Sequence, residues 1–232
     1  MERLSAALIL PAAGSGSRMN TDIPKPYLTL GGRTVLEQTL RRFLTMANLD
    51  VVVVATSPAY REQTEEILSG VFPHIETIVV QGGAERQDSI RNALAALPES
   101  IGLIAVHDAV RPFVQSATIQ SCVQEAAATG AAIAGVVVKD TIKKADAGLV
   151  VIETPDRRQL WQAQTPQVFR AELLHRAYQK AQEDGFTGTD DASLVERLGV
   201  SVTVVPGSRD NFKLTYPIDF QIAEMLHSKS KP

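Results

Sequence analysis

The chain alternates between short apolar runs and segments with helical periodicity, and this alternation limits the folds that it can adopt. The apolar runs are rich in β-branched residues, are bounded by turn residues, and occupy residues 6–10, 50–55, 77–80, 103–106, 131–138 and 200–205. They are apolar at successive positions rather than at every second one, which is typical of strands buried on both faces of a parallel sheet. We therefore predict a mostly parallel sheet.

Amphipathic helices are predicted between these strands. Residues 34–47 and 85–97 repeat apolar side chains at intervals of three and four, the period of an α-helix. Another helix is expected to begin after Thr189, which two aspartates follow, and to end at Gly199. Strands that alternate with helices predict a layered α/β sandwich.

One segment departs from this alternation. Residues 139–167 contain short apolar stretches on both sides of Asp146-Ala-Gly148, a turn sequence that favours a β-hairpin. A length of 232 residues is enough for one substantial core, and the sequence has neither repeats nor a linker-like tract. We predict a single domain over residues 1–232, with residues 139–167 as a protruding β-hairpin arm.

Cysteine content and charge exclude several classes of protein. Cys122 is the only cysteine, so an internal disulfide and a cysteine-based zinc site are excluded and a reducing compartment is permitted. A formal net charge of −3 gives no overall attraction to nucleic acid or to an anionic membrane. No apolar run approaches the roughly 18 residues of a membrane-spanning helix. We expect a cytoplasmic protein that binds neither nucleic acid nor a membrane.

A glycine-rich loop follows the first predicted strand. Residues 11–19 read Pro-Ala-Ala-Gly-Ser-Gly-Ser-Arg-Met, and small residues directly after a buried strand allow backbone N–H groups to approach a phosphate closely. The dinucleotide fingerprint is not matched because Met19 replaces its third glycine, and the P-loop is not matched because no Gly-Lys-Ser/Thr follows. The loop indicates a phosphate-bearing ligand bound without either of these motifs.

Two cations accompany the loop. Arg18 lies near its end, and Lys25 stands between Pro24 and Pro26, whose rings restrict the backbone and so direct the ammonium group. Because the net charge is negative, an anionic ligand has to be bound by local basic groups of this kind. We interpret Arg18 and Lys25 as phosphate-binding residues.

Further motifs make a resemblance specific. Beside the glycine loop and Pro-Lys-Pro-Tyr-Leu at 24–28 stand Gly-Gly-Ala-Glu-Arg-Gln-Asp-Ser at 82–89, Val-His-Asp-Ala-Val-Arg-Pro at 106–112, Asp-Arg at 156–157, Thr-Pro-Gln at 165–167 and Asp-Asn-Phe-Lys-Leu-Thr at 210–215. The chain resembles nucleotidyltransferases that join a nucleoside triphosphate to a sugar phosphate, and among them the 2-C-methyl-D-erythritol 4-phosphate cytidylyltransferase family of the non-mevalonate isoprenoid pathway. The resemblance covers nearly the whole chain and implies a Rossmann-like three-layer sandwich of the nucleotide-diphospho-sugar transferase type.

The resemblance also implies a reaction. A phosphate oxygen of methylerythritol phosphate would attack the α-phosphorus of CTP and release pyrophosphate, with Mg²⁺ as cofactor. Because the nucleophile is already an anion, no general base is required, and catalysis is expected to come from positioning and electrostatic stabilisation. The resemblance further implies a homodimer whose arms exchange between subunits.

Each motif residue receives a role from the same resemblance. The cations expected to act on the reacting phosphates are Arg18, Lys25, Arg157 and Lys213. The residues expected to bind the nucleotide are Pro11, Ala12, Ala13, Gly14, Gly16, Gly83 and Ser89. The expected metal ligand is Asp108, since one carboxylate suffices for Mg²⁺ when phosphates and waters complete its shell. The residues expected to bind the acceptor are Arg111, Thr141, Thr165, Thr189 and Asp210.

Two alternatives stay open at this point. A ribitol 5-phosphate cytidylyltransferase would share the nucleotide half of the site, although Arg157 and the Thr165-Pro-Gln stretch favour methylerythritol phosphate. A catalytically inactive CTP-binding regulatory protein would also keep the nucleotide site. The complete set of cations argues against that second alternative.

Overall fold

The protein is represented by a computed structural model, which describes residues 4–14 and 23–229. Within these residues the strands are β1 Ala6–Pro11, β2 Thr29–Leu30, β3 Arg33–Thr34, β4 Leu49–Thr56, β5 Glu76–Gln81, β6 Leu103–Val106, β7 Ala131–Val137, β8 Lys144–Ala145, β9 Val151–Glu153, β10 Trp161–Arg170 and β11 Thr203–Pro206. The α-helices are α1 Val35–Arg41, α2 Arg61–Val71, α3 Arg86–Leu94, α4 Ser116–Thr129, α5 Ala171–Glu183, α6 Asp191–Glu196 and α7 Pro217–Lys229. Single turns of 3-10 helix occur at Lys25–Tyr27, Arg42–Thr45, Pro58–Tyr60 and Arg157–Gln159.

A mostly parallel sheet of seven strands forms the centre of the described chain, in the order β11-β7-β10-β6-β1-β4-β5. β1 pairs in parallel with β4 and β6, β4 with β5, and β11 with β7. β10 runs antiparallel between β6 and β7. The valines at 51–54 in β4 are typical of the interior, since β-branched side chains pack well on a pleated surface.

Helices cover both faces of this sheet. Along β1, Leu8 and Leu10 pack with α1, α2 and α4, whereas Ile9 packs with α3, α5 and α6 on the opposite face. Successive side chains of a strand point to opposite faces, which explains why the buried strands are apolar at every position. The predicted three-layer α/β sandwich is confirmed. None of the helices within the described ranges has the length and apolar character needed to cross a lipid bilayer.

A smaller apolar cluster fixes the segment that follows β11. Leu214 is buried against Leu30 and Val110, and its N–H donates to the Val110 carbonyl oxygen at 3.0 Å. Its two neighbours in sequence, Lys213 and Thr215, are thereby held next to the loop that follows β6. This anchoring brings a late part of the sequence to the edge of the sheet where the candidate site lies.

The predicted hairpin is present but shorter than predicted. β8 and β9 pair antiparallel around a turn in which Asp146 Oδ1 accepts hydrogen bonds from the N–H groups of Gly148 and Val150, at 2.9 and 3.0 Å. The predicted arm boundary at residue 167 is wrong, because β10 begins at Trp161 and belongs to the central sheet. Polar residues and Pro166 interrupt the apolar pattern there, so β10 was not predicted as a strand.

The other predicted boundaries differ from the observed ones only at their ends. The strand predicted at 200–205 begins at Thr203, and the helix predicted at 85–97 has its α-helical part at Arg86–Leu94. The cap of α6 is Asp190 rather than Thr189, since the Asp190 side chain accepts the N–H of a residue in the first turn.

Replacing a fully buried ring tests this core. Phe43→Ala should lower the free energy of unfolding by about 3–5 kcal/mol, because the phenyl ring is completely buried and its loss leaves a cavity that the surroundings only partly fill. The ring also packs edge-on against His107, with ring centroids 4.9 Å apart, so its removal would also loosen the packing of His107. Urea unfolding followed by circular dichroism measures the change.

Leu44→Ala is the matched control for this variant. The neighbouring Leu44 is 50% exposed, and its truncation should change the free energy of unfolding by no more than about 0.5 kcal/mol. Equal effects of the two substitutions would show that Phe43 is not a core residue in solution.

Candidate active site

A cavity of about 540 Å³ opens at the edge of the sheet where β1, β5 and β6 end. Ligands of open α/β sheets bind at this carboxyl edge. Its walls include residues that the sequence predicted for the nucleotide, the metal and the reacting phosphates, namely Pro11, Ala12, Ala13, Gly14, Lys25, Gly83, Ser89, Asp108 and Lys213. The other two predictions for this region, Gly16 and Arg18, lie outside the described residues.

The wall that follows β5 depends on two glycines. A Cβ atom on Gly82 would lie 2.1 Å from the Cβ of Ala13, and one on Gly83 would lie 2.2 Å from the Cβ of Asp88. Ser89 supports the same turn, since its Oγ accepts the Gly83 N–H at 3.0 Å. The turn therefore lies against the loop after β1 at a distance that larger residues would not allow.

Lys25 is held at the cavity by its backbone and by its ammonium group. The residue is 9% exposed, and Nζ donates to the Thr215 carbonyl oxygen at 2.7 Å. In the same 3-10 turn, Tyr27 stacks on Tyr60 with ring centroids 4.2 Å apart, and its hydroxyl lies 2.8 Å from the Thr64 hydroxyl. The turn therefore places a positive charge at a fixed point of the cavity wall.

Asp108 lies just after β6 and is surrounded by three cations. Its Oδ1 is 3.3 Å from Arg86 Nε, and its Oδ2 is 3.0 Å from Arg111 Nε and 3.3 Å from Lys213 Nζ. Burial alone would raise the pKa of Asp108, but the charges of these three cations outweigh burial and hold the pKa well below its usual range. Asp108 is therefore an ionised carboxylate that collects basic side chains at the cavity.

A directed chain of hydrogen bonds fixes the backbone of Asp108. Its N–H donates to Thr165 Oγ1 at 3.0 Å, and the Thr165 hydroxyl lies 3.0 Å from His107 Nδ1. His107 Nε2 is 3.2 Å from the Arg111 carbonyl oxygen, which can only accept, so Nε2 carries the proton and Nδ1 accepts from Thr165. Burial lowers the pKa of His107 to about 4, so this ring is neutral and acts as a support.

This arrangement bears on two residues predicted to bind the acceptor. Thr165 and Arg111 both hold Asp108 within the chain, and Arg111 Nη1 also donates to the Asn211 carbonyl oxygen at 2.8 Å. Their contact with an acceptor stays a prediction, while their contact with Asp108 is part of the fold.

Lys213 also borders a second, smaller cleft of about 380 Å³. Gln162 and Gln164 from β10 line this cleft together with Arg111 and Arg209. Because Lys213 lies in the walls of both spaces, a molecule in the smaller cleft would meet the same cation as a molecule in the main cavity.

Some predicted site residues lie away from the main cavity. Arg157 is exposed, and its guanidinium donates to the Lys139 carbonyl oxygen at 2.9 Å within the arm. Thr141, Thr189 and Asp210 are exposed as well and do not line the cavity. These four residues line neither the main cavity nor the smaller cleft, and their roles stay predictions.

Arg86 and Asp191 are connected to the site, although the sequence analysis assigned neither of them a role in it. Arg86 lines the cavity and contacts Asp108, and its Nη2 lies 2.8 Å from Asp191 Oδ2. Both residues stand in motifs that the sequence analysis noted, but 105 positions separate them. An arginine at a turn and an aspartate at a helix start are ordinary surface features, so only the fold reveals the pair.

Asp108 is the candidate ligand for magnesium. Within the part of the chain that the structure describes, no group of three or more His, Cys, Asp or Glu side chains is arranged to hold a metal ion. Mg²⁺ takes one or two carboxylates together with phosphate oxygens and waters, so a single ionised carboxylate on the cavity wall fits it once nucleotide phosphates are present. Oδ1, whose ion-pair partner Arg86 lies 3.3 Å away, is the less crowded of the two oxygens.

Comparison with known proteins identifies the relationship. The family model described as 2-C-methyl-D-erythritol 4-phosphate cytidylyltransferase (IspD) matches residues 6–229. The chain belongs to this family. A protein of that name from Symbiobacterium thermophilum is 46% identical over 97% of this chain and 93% of its own length. One from Solibacter usitatus is 43% identical, with 96% of each chain covered.

Solved structures of family members share the fold. The crystal structure of 4-diphosphocytidyl-2C-methyl-D-erythritol synthase from Anaerococcus prevotii matches with a TM-score of 0.87 and 29% identity, covering 98% of this chain and all of that one. The 2-C-methyl-D-erythritol 4-phosphate cytidylyltransferase from Thermus thermophilus matches with a TM-score of 0.78 and 33% identity, covering 97% of this chain. The predicted family and the Rossmann-like fold are confirmed.

The close approach at Gly82 can be tested by adding one methyl group. Gly82→Ala should weaken CTP binding by about tenfold or more, because its Cβ would lie 2.1 Å from that of Ala13 and displace the loop after β1. Isothermal titration calorimetry with CTP measures the dissociation constant.

Gly70→Ala serves as the control for an added methyl group. Gly70 lies in α2 with no atom within 4 Å of the added Cβ, so this variant should bind CTP as the unmodified protein does and gain up to about 1 kcal/mol of helix stability. Unchanged CTP binding by the Gly82 variant would mean that this contact does not shape the nucleotide site.

Proposed function

We propose that this chain transfers the CMP group of CTP to 2-C-methyl-D-erythritol 4-phosphate, giving 4-diphosphocytidyl-2-C-methyl-D-erythritol and pyrophosphate in the biosynthesis of isoprenoid precursors. The observation that carries the proposal is the convergence of Lys25, Asp108 and Lys213 on one cavity beside a tight glycine turn, in a member of the cytidylyltransferase family. The two relatives named 2-C-methyl-D-erythritol 4-phosphate cytidylyltransferase match nearly the whole chain.

We assign CTP an orientation in the cavity from the residues that line it. The turn at Gly83 presents main-chain groups that can read the edge of a base, the kind of contact that separates cytosine from uracil. Residues 11–14 then lie along the path of the triphosphate, where small side chains let the backbone come close to phosphate oxygens. Lys25 lies on this side and supplies positive charge, as the sequence also predicts for Arg18.

The transfer requires charge stabilisation rather than proton removal. An anionic oxygen of the acceptor phosphate attacks the α-phosphorus, the bond to the β-phosphate breaks, and pyrophosphate leaves with the bonding electrons. Negative charge accumulates on the α-phosphate and the leaving group, and cations already fixed in the wall stabilise it without rearranging. Lys25 is assigned to the α-phosphate and the leaving group, and Lys213 to the approach of the acceptor from the smaller cleft.

Asp108 is assigned two tasks. It holds Arg86, Arg111 and Lys213 in place before any substrate arrives. It also carries the oxygen that would bind magnesium, which when bound acts as a Lewis acid on the phosphates.

We further infer that two copies of the chain form a dimer through the arm. Leu149, Val150, Val151 and Ile152 are consecutive apolar residues at the arm and are 86%, 62%, 54% and 57% exposed. Contiguous exposed apolar surface of this kind is typical of protein–protein interaction sites. Arg157, which belongs to the same projecting segment, lies away from the cavity of its own chain and would complete the site of the partner.

A cytoplasmic location is part of the proposal. Cys122 is a buried thiol whose pKa burial raises to about 12, so it is unreactive and needs no disulfide partner.

The acceptor assay tests the proposed reaction. Purified protein with CTP and Mg²⁺ should release pyrophosphate with 2-C-methyl-D-erythritol 4-phosphate and at least about tenfold more slowly with ribitol 5-phosphate, because the two acceptors differ in the groups that the smaller cleft would contact. The preferred acceptor is read from kcat/KM. Release with ribitol 5-phosphate alone would overturn the acceptor assignment, and CTP binding without release from either acceptor would indicate a regulatory protein.

Mixing two inactive variants tests the exchanged arm. Arg157→Ala and Lys213→Ala should each be nearly inactive, and after unfolding and refolding together they should recover about a quarter of the original activity, because half of the dimers are mixed and each mixed dimer has one complete site. Steady-state pyrophosphate release measures the recovery.

The matched control mixes Lys25→Ala with Lys213→Ala. Both lysines line the cavity of one chain, so every site in a mixed dimer lacks one of them and no activity should return. Recovery in this control, or none in the first mixture, would show that Arg157 does not act in the partner's site.

A further inference from the structure

We propose that Asp191 is a positioning residue for the transfer: through Arg86 it holds Asp108 and ties the loop of residues 186–191 to the turn that binds the nucleotide. The inference rests on the proposed function, because Asp108 and the turn belong to the site described above. Asp191 itself does not line the cavity.

The bridge between the two carboxylates is a single guanidinium group. Arg86 Nε lies 3.3 Å from Asp108 Oδ1, and Arg86 Nη2 lies 2.8 Å from Asp191 Oδ2. The guanidinium is planar and rigid, so the position of one carboxylate fixes the direction in which the group meets the other. Asp191 makes the shorter contact and therefore sets the orientation of Arg86.

The charges make this bridge permanent. The Arg86 guanidinium lies within ion-pair distance of both carboxylates, and an arginine side chain stays charged in proteins. The side chain of Asp191 is only 1% exposed, and a buried carboxylate without a charged partner would be strongly destabilising. Arg86 is that partner, and the pair is retained for as long as the protein is folded.

Asp191 is itself fixed from the central sheet. Its N–H donates to Gln167 Oε1 at 3.1 Å, and the N–H of Ala192 donates to the same oxygen at 3.0 Å. Gln167 belongs to β10, which also carries Thr165 beneath Asp108. One strand therefore supports both carboxylates that Arg86 joins.

Tyr178 completes the surroundings of Asp191. Its hydroxyl donates to Asp191 Oδ1 at 2.5 Å. Burial and the charge of Asp191 raise the pKa of Tyr178 well above its ordinary value, so the hydroxyl is always a donor. This contact uses Oδ1 of Asp191, whereas Arg86 uses Oδ2, which makes Tyr178 a useful control position.

A second link joins the same two segments. Gln87, the residue after Arg86, accepts the Gly188 N–H at 2.9 Å through Oε1 and donates to the Phe186 carbonyl oxygen at 3.0 Å through Nε2. The first turn of α3, which follows the nucleotide-binding turn, is thus fastened to the loop that carries Thr189, a residue predicted to bind the acceptor. If that loop moved, Asp191 would move with it and Arg86 would shift relative to Asp108.

Asp191→Asn breaks this bridge with little other change. The asparagine keeps the size and the backbone N–H to Gln167, but it removes the negative charge and leaves one acceptor oxygen for two donors, the Tyr178 hydroxyl and Arg86 Nη2. We expect kcat to fall by about tenfold or more, since small misplacements of reacting groups cost this much, while the dissociation constant for CTP changes by less than about threefold. Steady-state kinetics and calorimetry measure the two quantities.

Tyr178→Phe is the matched control. It removes a buried hydrogen bond from Asp191 but leaves the Arg86 contacts in place, so kcat should stay within about twofold although thermal unfolding shifts to lower temperature. A loss of kcat in both variants that follows their loss of stability would overturn the inference, as would full activity of Asp191→Asn.

Arg86→Lys provides a second, independent variant. Lysine keeps the charge but cannot span both carboxylates, so it should lose as much kcat as Asp191→Asn does. The double variant should be no slower than the slower single variant, because both changes remove the same link. Losses that multiply in the double variant would show that the two residues act separately.

The Nε–H signal of Arg86 in ¹⁵N NMR spectra tests, without any activity measurement, whether Asp191 holds Arg86 against Asp108. Assigned by its loss in Arg86→Lys, it should exchange slowly with water in the unmodified protein and in Tyr178→Phe, and rapidly in Asp191→Asn. Rapid exchange in all of them would overturn the inference. If the unmodified protein used neither acceptor, the proposed function would fail, and this signal would still report on the bridge.

Discussion

The arrangement of the site depends on one buried carboxylate and the cations that meet on it. Asp108 follows a central strand, whereas Arg86 comes from the start of α3, Arg111 from the loop after β6, and Lys213 from the segment after β11. A buried charge is tolerated when it is paired, and three cations near one another need a carboxylate between them. The ion pairs therefore join elements that are distant in the sequence, and the fold and the site require the same contacts.

Hydrophobic patterning was sufficient to predict most of the sheet, because strands buried on both faces leave continuous apolar runs. β10 was the exception, and its polar residues explain why. Gln167 and Thr165 are directed at backbone N–H groups near Asp191 and Asp108, so they satisfy buried donors rather than fill the core. A strand whose side chains hydrogen-bond to a polar site lacks the continuous apolar run from which buried strands are predicted. This is why β10 was the strand that the sequence analysis missed.

Site residues that follow strands directly could be predicted, because the carboxyl ends of parallel strands meet at one edge of a sheet. Asp108 and Gly83 are of this kind, although the resemblance supplied their roles, and Lys25 was found through its flanking prolines. The pairing of Arg86 with Asp191 could not be predicted, since 105 positions separate the two residues and neither motif indicates the other. Arg157 poses a different problem, because one chain alone does not contain the site that it is proposed to complete.

A fixed carboxylate repels the two polyanions that bind in this site, and the cations around it offset that repulsion. Without Asp108, Lys213 would lose its carboxylate partner, and the repulsion between Lys213 and the nearby Arg86 and Arg111 would be left uncompensated. With Asp108 they are already gathered, and Lys213, the most exposed of the three, lies 3.3 Å away where it can turn towards a phosphate in either cleft. The free energy needed to bring these positive charges together is therefore supplied during folding and not during the reaction. A site of this kind is preorganised.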